Sequence, residues 1–371
     1  MEQQDNQNDS NKLNPNEGQN INQRPQIPYG YQQSYMAYGQ PVQNPNGYVK
    51  NQIVSVYPPD YGMVYLGEGM EPQAPTTNIL SKVAFSLFLM GIAVLLSQQL
   101  IGAAIYTFWP QIAETDWYMW ALTAISMIGI GLPVFYFLTR RIPEPKHEEV
   151  KKLKPIQFIV IFFVCTAVMY ITNFFSVFLT FLIALLKGGN FLDLNPLADA
   201  LIDSNLIFRV LYAALAAPII EEIIFRRLLL NKLRKYGDIP AILLSAIAFG
   251  LFHMNVAQMF YATALGIIFA YVAIRTNSIR YNILLHILVN SMGVVIAPFA
   301  TKQNVVFSMI LVAWVFTCIT LGLVLLIVNI KKIRLYRIQK PLEKKSGYLL
   351  NLGTILYTIM CLTMVVVQIL A

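Results

Sequence analysis

The stretch PIIEEIIFRR, at residues 218–227, places two glutamates and two arginines inside a run that is otherwise apolar. It belongs to the longer run LIFRVLYAALAAPIIEEIIFRRLLL, residues 206–230, and about 20 apolar residues suffice for a helix to cross a bilayer core. Charged side chains inside a membrane span are costly, and they usually face the bundle interior, a partner or a water-filled cavity. The stretch therefore predicts a helical membrane protein whose interior holds a polar site.

The remainder of the chain after residue 78 repeats this apolar pattern. Of the 371 residues, 56% are hydrophobic and only 12% are charged, which is far from the composition of a typical soluble domain. We count nine apolar segments, at about 79–109, 117–139, 156–186, 206–230, 239–254, 256–274, 280–300, 304–330 and 348–371. The predicted fold is an all-α polytopic integral membrane protein, with about 8–9 transmembrane helices in one domain over 79–371.

The first 78 residues have a different composition. Glutamine and asparagine fill 23 of these positions, and proline, glycine and tyrosine are frequent among the others. Such a segment buries too little apolar surface to offset the loss of chain entropy on folding. We therefore predict a disordered tail over 1–78, and a role for its tyrosines in binding an unknown partner stays open.

The loops between the apolar segments carry their positive charge on alternate sides. One set of loops holds twenty lysines and arginines, whereas the other set holds two. Cytoplasmic loops are the positively charged ones, so the N-terminal tail is predicted to be cytosolic and, with nine spans, the C-terminus lies outside. The net charge of +8 thus follows from membrane topology and contact with anionic lipid, and it requires no nucleic acid.

The acidic pair of the opening stretch contains two different carboxylates. Glu222 and Arg226 are four residues apart, so they share one face of a helix and can neutralise each other. This pair on its own is explained at least as well by a structural ion pair as by catalysis. Glu221 is rotated by about 100° from Glu222, and this rotation leaves it available to a different partner.

Two further apolar segments carry polar residues at the same helical spacing. FGLFH places Phe249 and His253 four residues apart, and HILVN does the same for His286 and Asn290. Each residue alone has a structural explanation, such as a hydrogen bond between helices. Because they lie on neighbouring segments, we predict one shared site with the acidic stretch, facing a common interior.

This set of groups is sufficient for hydrolysis of an amide bond. Glu221 with His253 can take a proton from water, which makes the water nucleophilic. His286 and Asn290 can donate hydrogen bonds to the oxyanion that then develops. No cofactor is favoured, although Glu221, His253 and His286 are also a possible ligand set for zinc, and the usual His-Glu-x-x-His signature is absent.

The three patterns EEIIFR, FGLFH and HILVN, in this order, resemble a known family. Glu-Glu-x-x-x-Arg, Phe-x-x-x-His and His-x-x-x-Asn stand on successive membrane helices in the CAAX-prenyl-endopeptidase and bacteriocin-processing family of intramembrane proteases, also called CPBP or Abi. The resemblance covers about residues 160–300. It implies a hydrolase in which Glu221 and His253 activate water, His286 and Asn290 bind the oxyanion, and the remaining motif residues support them. Those supporting residues are Glu222, Arg226 and Phe249.

The resemblance leaves several readings of the function open. It implies an endopeptidase acting on a membrane-embedded or lipid-anchored peptide or protein, such as a bacteriocin precursor or an exported leader. The family is often labelled as metalloproteases, yet a metal-free mechanism is favoured here. Some members are described as immunity factors or scaffolds, which makes a non-catalytic immunity or scaffold protein the alternative. A transporter with buried carboxylates is a third reading. The composition of the tail favours a bacterial plasma membrane.

Overall fold

Nine long helices make up the described part of the chain in the computed structural model. It describes residues 77–144, 149–187, 205–296, 298, 305–335 and 345–370. The helices are α1 (Thr77–Phe108), α2 (Tyr118–Thr139), α3 (Pro155–Lys187), α4 (206–236), α5 (Asp238–Phe252), α6 (Val256–Thr276), α7 (Arg280–Ile296), α8 (Val305–Lys332) and α9 (Leu352–Leu370). The tail predicted over 1–78 falls almost entirely outside the described residues.

Each of the nine predicted apolar segments corresponds to one of these helices. Six of them, α1, α2, α3, α6, α8 and α9, are long and apolar enough to cross a membrane, whereas α5 and α7 are shorter apolar helices. The described residues contain no strand. The prediction of an all-α, polytopic membrane protein is therefore confirmed.

The helices α4 to α7 form the middle of the bundle. The helix α5 packs along α6, and α7 packs against both α3 and α4. On one flank α1 packs against α2 and α9, and on the other flank α3 packs against α6 and α8. A side-chain β-carbon at Gly250 of α5 would overlap Thr263 and the Met259 carbonyl of α6, so glycine allows these two helices to approach closely.

The helix α4 is irregular where it carries the polar groups. It contains two π-helical stretches, Arg209–Ala216 and Ile223–Leu230, on either side of an α-helical segment, Ala217–Glu222. Pro218 has no N–H group and cannot continue the backbone ladder. At this point the Ala217 N–H donates to the Tyr212 carbonyl, five residues back. π-Helical turns of this kind are rare and occur frequently at functional sites.

The loops that are rich in lysine and arginine meet at one end of the bundle. Lys232, near the end of α4, contacts Glu144 of the α2–α3 loop at 2.7 Å. Arg234 donates to the side chain of Asn277, in the α6–α7 turn, at 2.7 Å. We call this the basic end. It comprises the described residues of the α2–α3, α4–α5 and α6–α7 connections, together with the start of the α8–α9 connection, where the Arg334 N–H donates to Tyr271 of α6.

Candidate functional site

A cavity of about 450 Å³ lies between α1, α2, α4, α5 and α9. This volume is in the usual range for a binding site, and such sites combine apolar walls with a few polar groups. Glu221 and His253 are both part of the wall. Apolar side chains supply most of the remaining surface, among them Val94, Met127, Ile220, Phe252, Met364 and Val367.

Glu222 lies beside this cavity wall and is completely buried. One of its oxygens accepts a hydrogen bond from His286 Nδ1 at 3.0 Å, and the other accepts from Asn282 Nδ2 at 3.3 Å. The Nε atom of Arg226 is 3.4 Å from the same second oxygen. A buried carboxylate is tolerated when it is paired and hydrogen-bonded, and these three contacts satisfy that requirement.

Arg226 is held by one carboxylate and two aromatic rings. Its guanidinium carbon is 4.6 Å from the centroid of Phe249 and 5.8 Å from that of Phe269. Within the described residues the guanidinium nitrogens make no hydrogen bond, so the 3.4 Å approach to Glu222 is an ion pair. Cation–π contacts of this type gain strength when they are desolvated. The contact with the Arg226 guanidinium therefore gives Phe249 a structural role in the motif.

Glu221 faces the other side of the same histidine. Its Oε2 atom is 3.6 Å from His286 Nε2, and its side chain is 19% exposed whereas that of Glu222 is not exposed at all. The imidazole of His286 thus lies between two carboxylates, one buried and one at the cavity.

His253 also lines the cavity, and its loop is held in place by local hydrogen bonds. His253 Nδ1 lies 2.9 Å from the Phe249 carbonyl. Since a carbonyl only accepts, Nδ1 carries the hydrogen and Nε2 of the neutral ring is left as a base. Asn255 donates to the His253 carbonyl at 2.9 Å and caps α6. Met254 between them has a φ of 53°, which is an uncommon conformation for such a residue.

Asn290 makes a contact that its motif spacing does not predict. Its Nδ2 donates to the Ala213 carbonyl of α4 at 3.2 Å. In the π-helical register of that stretch, this carbonyl would accept from the residue five positions later, which is Pro218 and has no N–H. The Asn290 amide therefore replaces the missing backbone donor and ties α7 to α4. Neither Asn290 nor His286 is among the residues that line the cavity.

Asn282 is a buried member of the site that the sequence reasoning missed. Besides its bond to Glu222, it donates to the Phe269 carbonyl of α6 at 2.5 Å. It stands four residues before His286, so it lies on the same face of α7. That spacing was the available signal, since a polar residue one turn before a motif histidine belongs to the same interior face.

We expect Asn282→Ala to lower the free energy of unfolding by about 1–3 kcal/mol, because it removes the hydrogen-bond donor of one buried Glu222 oxygen and a second donor to the Phe269 carbonyl. The measurement is unfolding of the purified chain in mixed micelles. Asn329→Ala is the matched control, because Asn329 is half-buried and bonds only residues of its own helix, the Leu325 carbonyl and the Lys332 ammonium. Equal effects of the two substitutions would contradict the role assigned to Asn282.

The structure does not bring the possible zinc ligands together as a metal site. In the part of the chain that the structure describes, no three histidine, cysteine, aspartate or glutamate side chains are placed to hold a metal ion. The same holds for the possible ligand set of Glu221, His253 and His286, since all three residues lie in the described part.

The motif residues and their hydrogen-bond partners all fall within one segment of the chain, and this segment matches a known family. Residues 203–292 match the model of the family described as Type II CAAX prenyl endopeptidase Rce1-like. The predicted resemblance is confirmed over this segment. The Rce1-like segment contains all three motifs and is shorter than the expected 160–300.

One curated relative is also similar to the chain. It is described as "Putative membrane peptidase YdiL" of Bacillus subtilis (strain 168), and it is 32% identical over 87 residues. These residues are 23% of this chain and 36% of the relative, so the chain matches about a third of that protein's length. No solved structure gave a significant match.

Proposed function

We propose that the chain is an intramembrane endopeptidase that hydrolyses a peptide bond of a membrane-associated peptide or protein. The observation that carries the proposal is the placement of Glu221 and His253 on one cavity wall, with His286 3.6 Å from Glu221. The Rce1-like segment, which contains these residues, supports the class of reaction.

The proposed reaction begins with a water molecule between Glu221 and the substrate carbonyl. Glu221 takes a proton from the water while the oxygen attacks the carbonyl carbon, and the C=O electron pair becomes an oxyanion. When the tetrahedral intermediate collapses, the C–N bond breaks and the Glu221 proton goes to the leaving amine. Nε2 of His253, left as a base by the bond at Nδ1, accepts a hydrogen bond from the same water.

The oxyanion requires hydrogen-bond donors aimed at the developing charge. We assign this role to His286 and Asn290, each of which has one donor already engaged. His286 uses Nδ1 for Glu222 and Asn290 uses one amide hydrogen for Ala213. A protonated ring carries a second donor, Nε2–H, for the substrate. Glu222 accepts from Nδ1 and pairs with Arg226, and these contacts hold the ring in place.

The test compares the membrane proteomes of cells that make the chain with those of cells that lack it. We expect one or more uncut precursors to accumulate without the chain, and the addition of the purified protein to those membranes should produce the matching new N-termini. If the purified protein generates no new termini, the proposal fails and a non-catalytic immunity or scaffold protein becomes the better reading.

A further inference from the structure

We infer that the cavity opens away from the cytoplasm, so that the substrate is a membrane-anchored peptide chain whose scissile bond lies on the extracytoplasmic side. The part of this inference that concerns a substrate rests on the proposed function. The direction in which the cavity opens is independent of that function, since it follows from helix positions and charge.

The residues that line the cavity lie between the middle and the same end of every helix that contributes to it. In α1 they run from Gly91, at the middle of the helix, to Gln98, and in α2 they lie in the first half, at Thr123 and Met127. Because α1 and α2 run in opposite directions, these residues are at one level of the bundle.

The other three helices agree with this placement. In α4 the lining residues run from Tyr212 to Glu221, in the first half of the helix. Those of α5 and its following loop begin at Phe252, the last residue of that helix, and those of α9 begin at Met364, in its last third. In an antiparallel bundle, the C-terminal ends of the odd-numbered helices and the N-terminal ends of the even-numbered helices lie at the same end.

That end is opposite the basic end. At the basic end lie the C-terminal ends of α2 and α4 and the N-terminal ends of α3, α5 and α7. The contacts of Lys232 with Glu144 and of Arg234 with Asn277 require this arrangement. At the opposite end, Lys187 at the finish of α3 donates to the Ile369 carbonyl at the finish of α9. The loops at the basic end carry twenty lysines and arginines, whereas the loops at the opposite end carry two. Since cytoplasmic loops are the positively charged ones, the basic end is placed in the cytosol.

The chemistry of the wall indicates which part of a substrate would enter. Its surface is mainly apolar, with Gln98, Tyr212 and Asn255 near the two proposed reacting residues. A volume of about 450 Å³ accommodates a short stretch of extended peptide and excludes a folded domain. A precursor that has crossed the membrane and remains anchored in it would present such a stretch at this level.

The test is thiol labelling of single cysteines in protoplasts with a membrane-impermeant maleimide. The three native cysteines, Cys165, Cys318 and Cys361, are all buried, which gives a low background. We expect the cavity variant Gln98→Cys and the α1–α2 loop variant Glu114→Cys to react in intact protoplasts. The variant Glu149→Cys, before α3 at the basic end, should react only after permeabilisation.

Two other patterns would overturn the inference. Labelling of Gln98→Cys only after permeabilisation, together with Glu149→Cys, would place the cavity on the cytosolic side. A thiol at 98 that reacts under neither condition would mean that the cavity is closed to water. Thr123→Cys, on the facing α2 wall, repeats the test if the first variant does not fold. None of these measurements depends on cleavage, so they test the direction of the cavity independently of the proposed peptidase activity.

Discussion

Glu221→Gln should lower the rate at which the purified chain produces new N-termini by at least about 100-fold, since a positioned general base contributes about 10²–10⁴ to the rate. Glutamine preserves the size of the side chain but cannot accept the proton of the attacking water. The measurement is the initial rate of cleavage of an accumulated precursor, with wild-type and variant chains at equal concentration in the same lipid.

The control for this prediction is Glu114→Gln, which makes the same chemical change in an exposed loop at the same end of the bundle. It should leave the rate within about twofold of wild type, since surface substitutions away from a site have small effects. Unfolding of the two variants in mixed micelles shows whether each is folded. A folded Glu221→Gln protein that retains more than a tenth of the wild-type rate would exclude Glu221 as the base.

The sequence was most informative about the helices and about the separate roles of the adjacent glutamates. Long apolar segments in a membrane protein have few structural options, because every backbone group must be satisfied internally. The rotation of about 100° between neighbouring helical residues predicted that Glu221 and Glu222 would face different partners. In the structure Arg226 and Asn282 contact Glu222. His286 lies between the two carboxylates, with Nδ1 bonded to Glu222 and Nε2 near Glu221.

Helical spacing could not predict which contacts would form between helices. The spacing places His286 and Asn290 on one face, but the bond from Asn290 to Ala213 depends on how a π-helical turn meets Pro218. Likewise, the position of His286 between two carboxylates depends on the rotation of α7 against α4. Rotations of this kind are set by tertiary packing, so they could not be read from one sequence.

Glu222→Gln should be the most destabilising change at the site, because it leaves the guanidinium of Arg226 buried without a counter-charge. Breaking a buried pair by removing one partner typically costs about 3–5 kcal/mol, and we expect a loss of that size in the free energy of unfolding in mixed micelles. The neighbouring pair of Arg227 and Glu144, at 3.3 Å, is the matched control, since the Arg227 side chain is 47% exposed. Arg227→Gln should cost about 0–1 kcal/mol.

The double variant Glu222→Gln with Arg226→Met separates the ion pair from the packing of the site. Methionine retains an apolar chain against Phe249 and Phe269, and it removes the charge that Glu222→Gln leaves unbalanced. We therefore expect the double variant to recover at least half of the stability that the single variant loses. It should still cleave slowly, because His286 would lose the carboxylate that holds its Nδ1. Recovery of stability without recovery of rate would separate two tasks of one carboxylate, which are to neutralise Arg226 and to hold His286 ready for the oxyanion. An additive loss of stability in the double variant would instead show that Arg226 is retained for its stacking on the two rings.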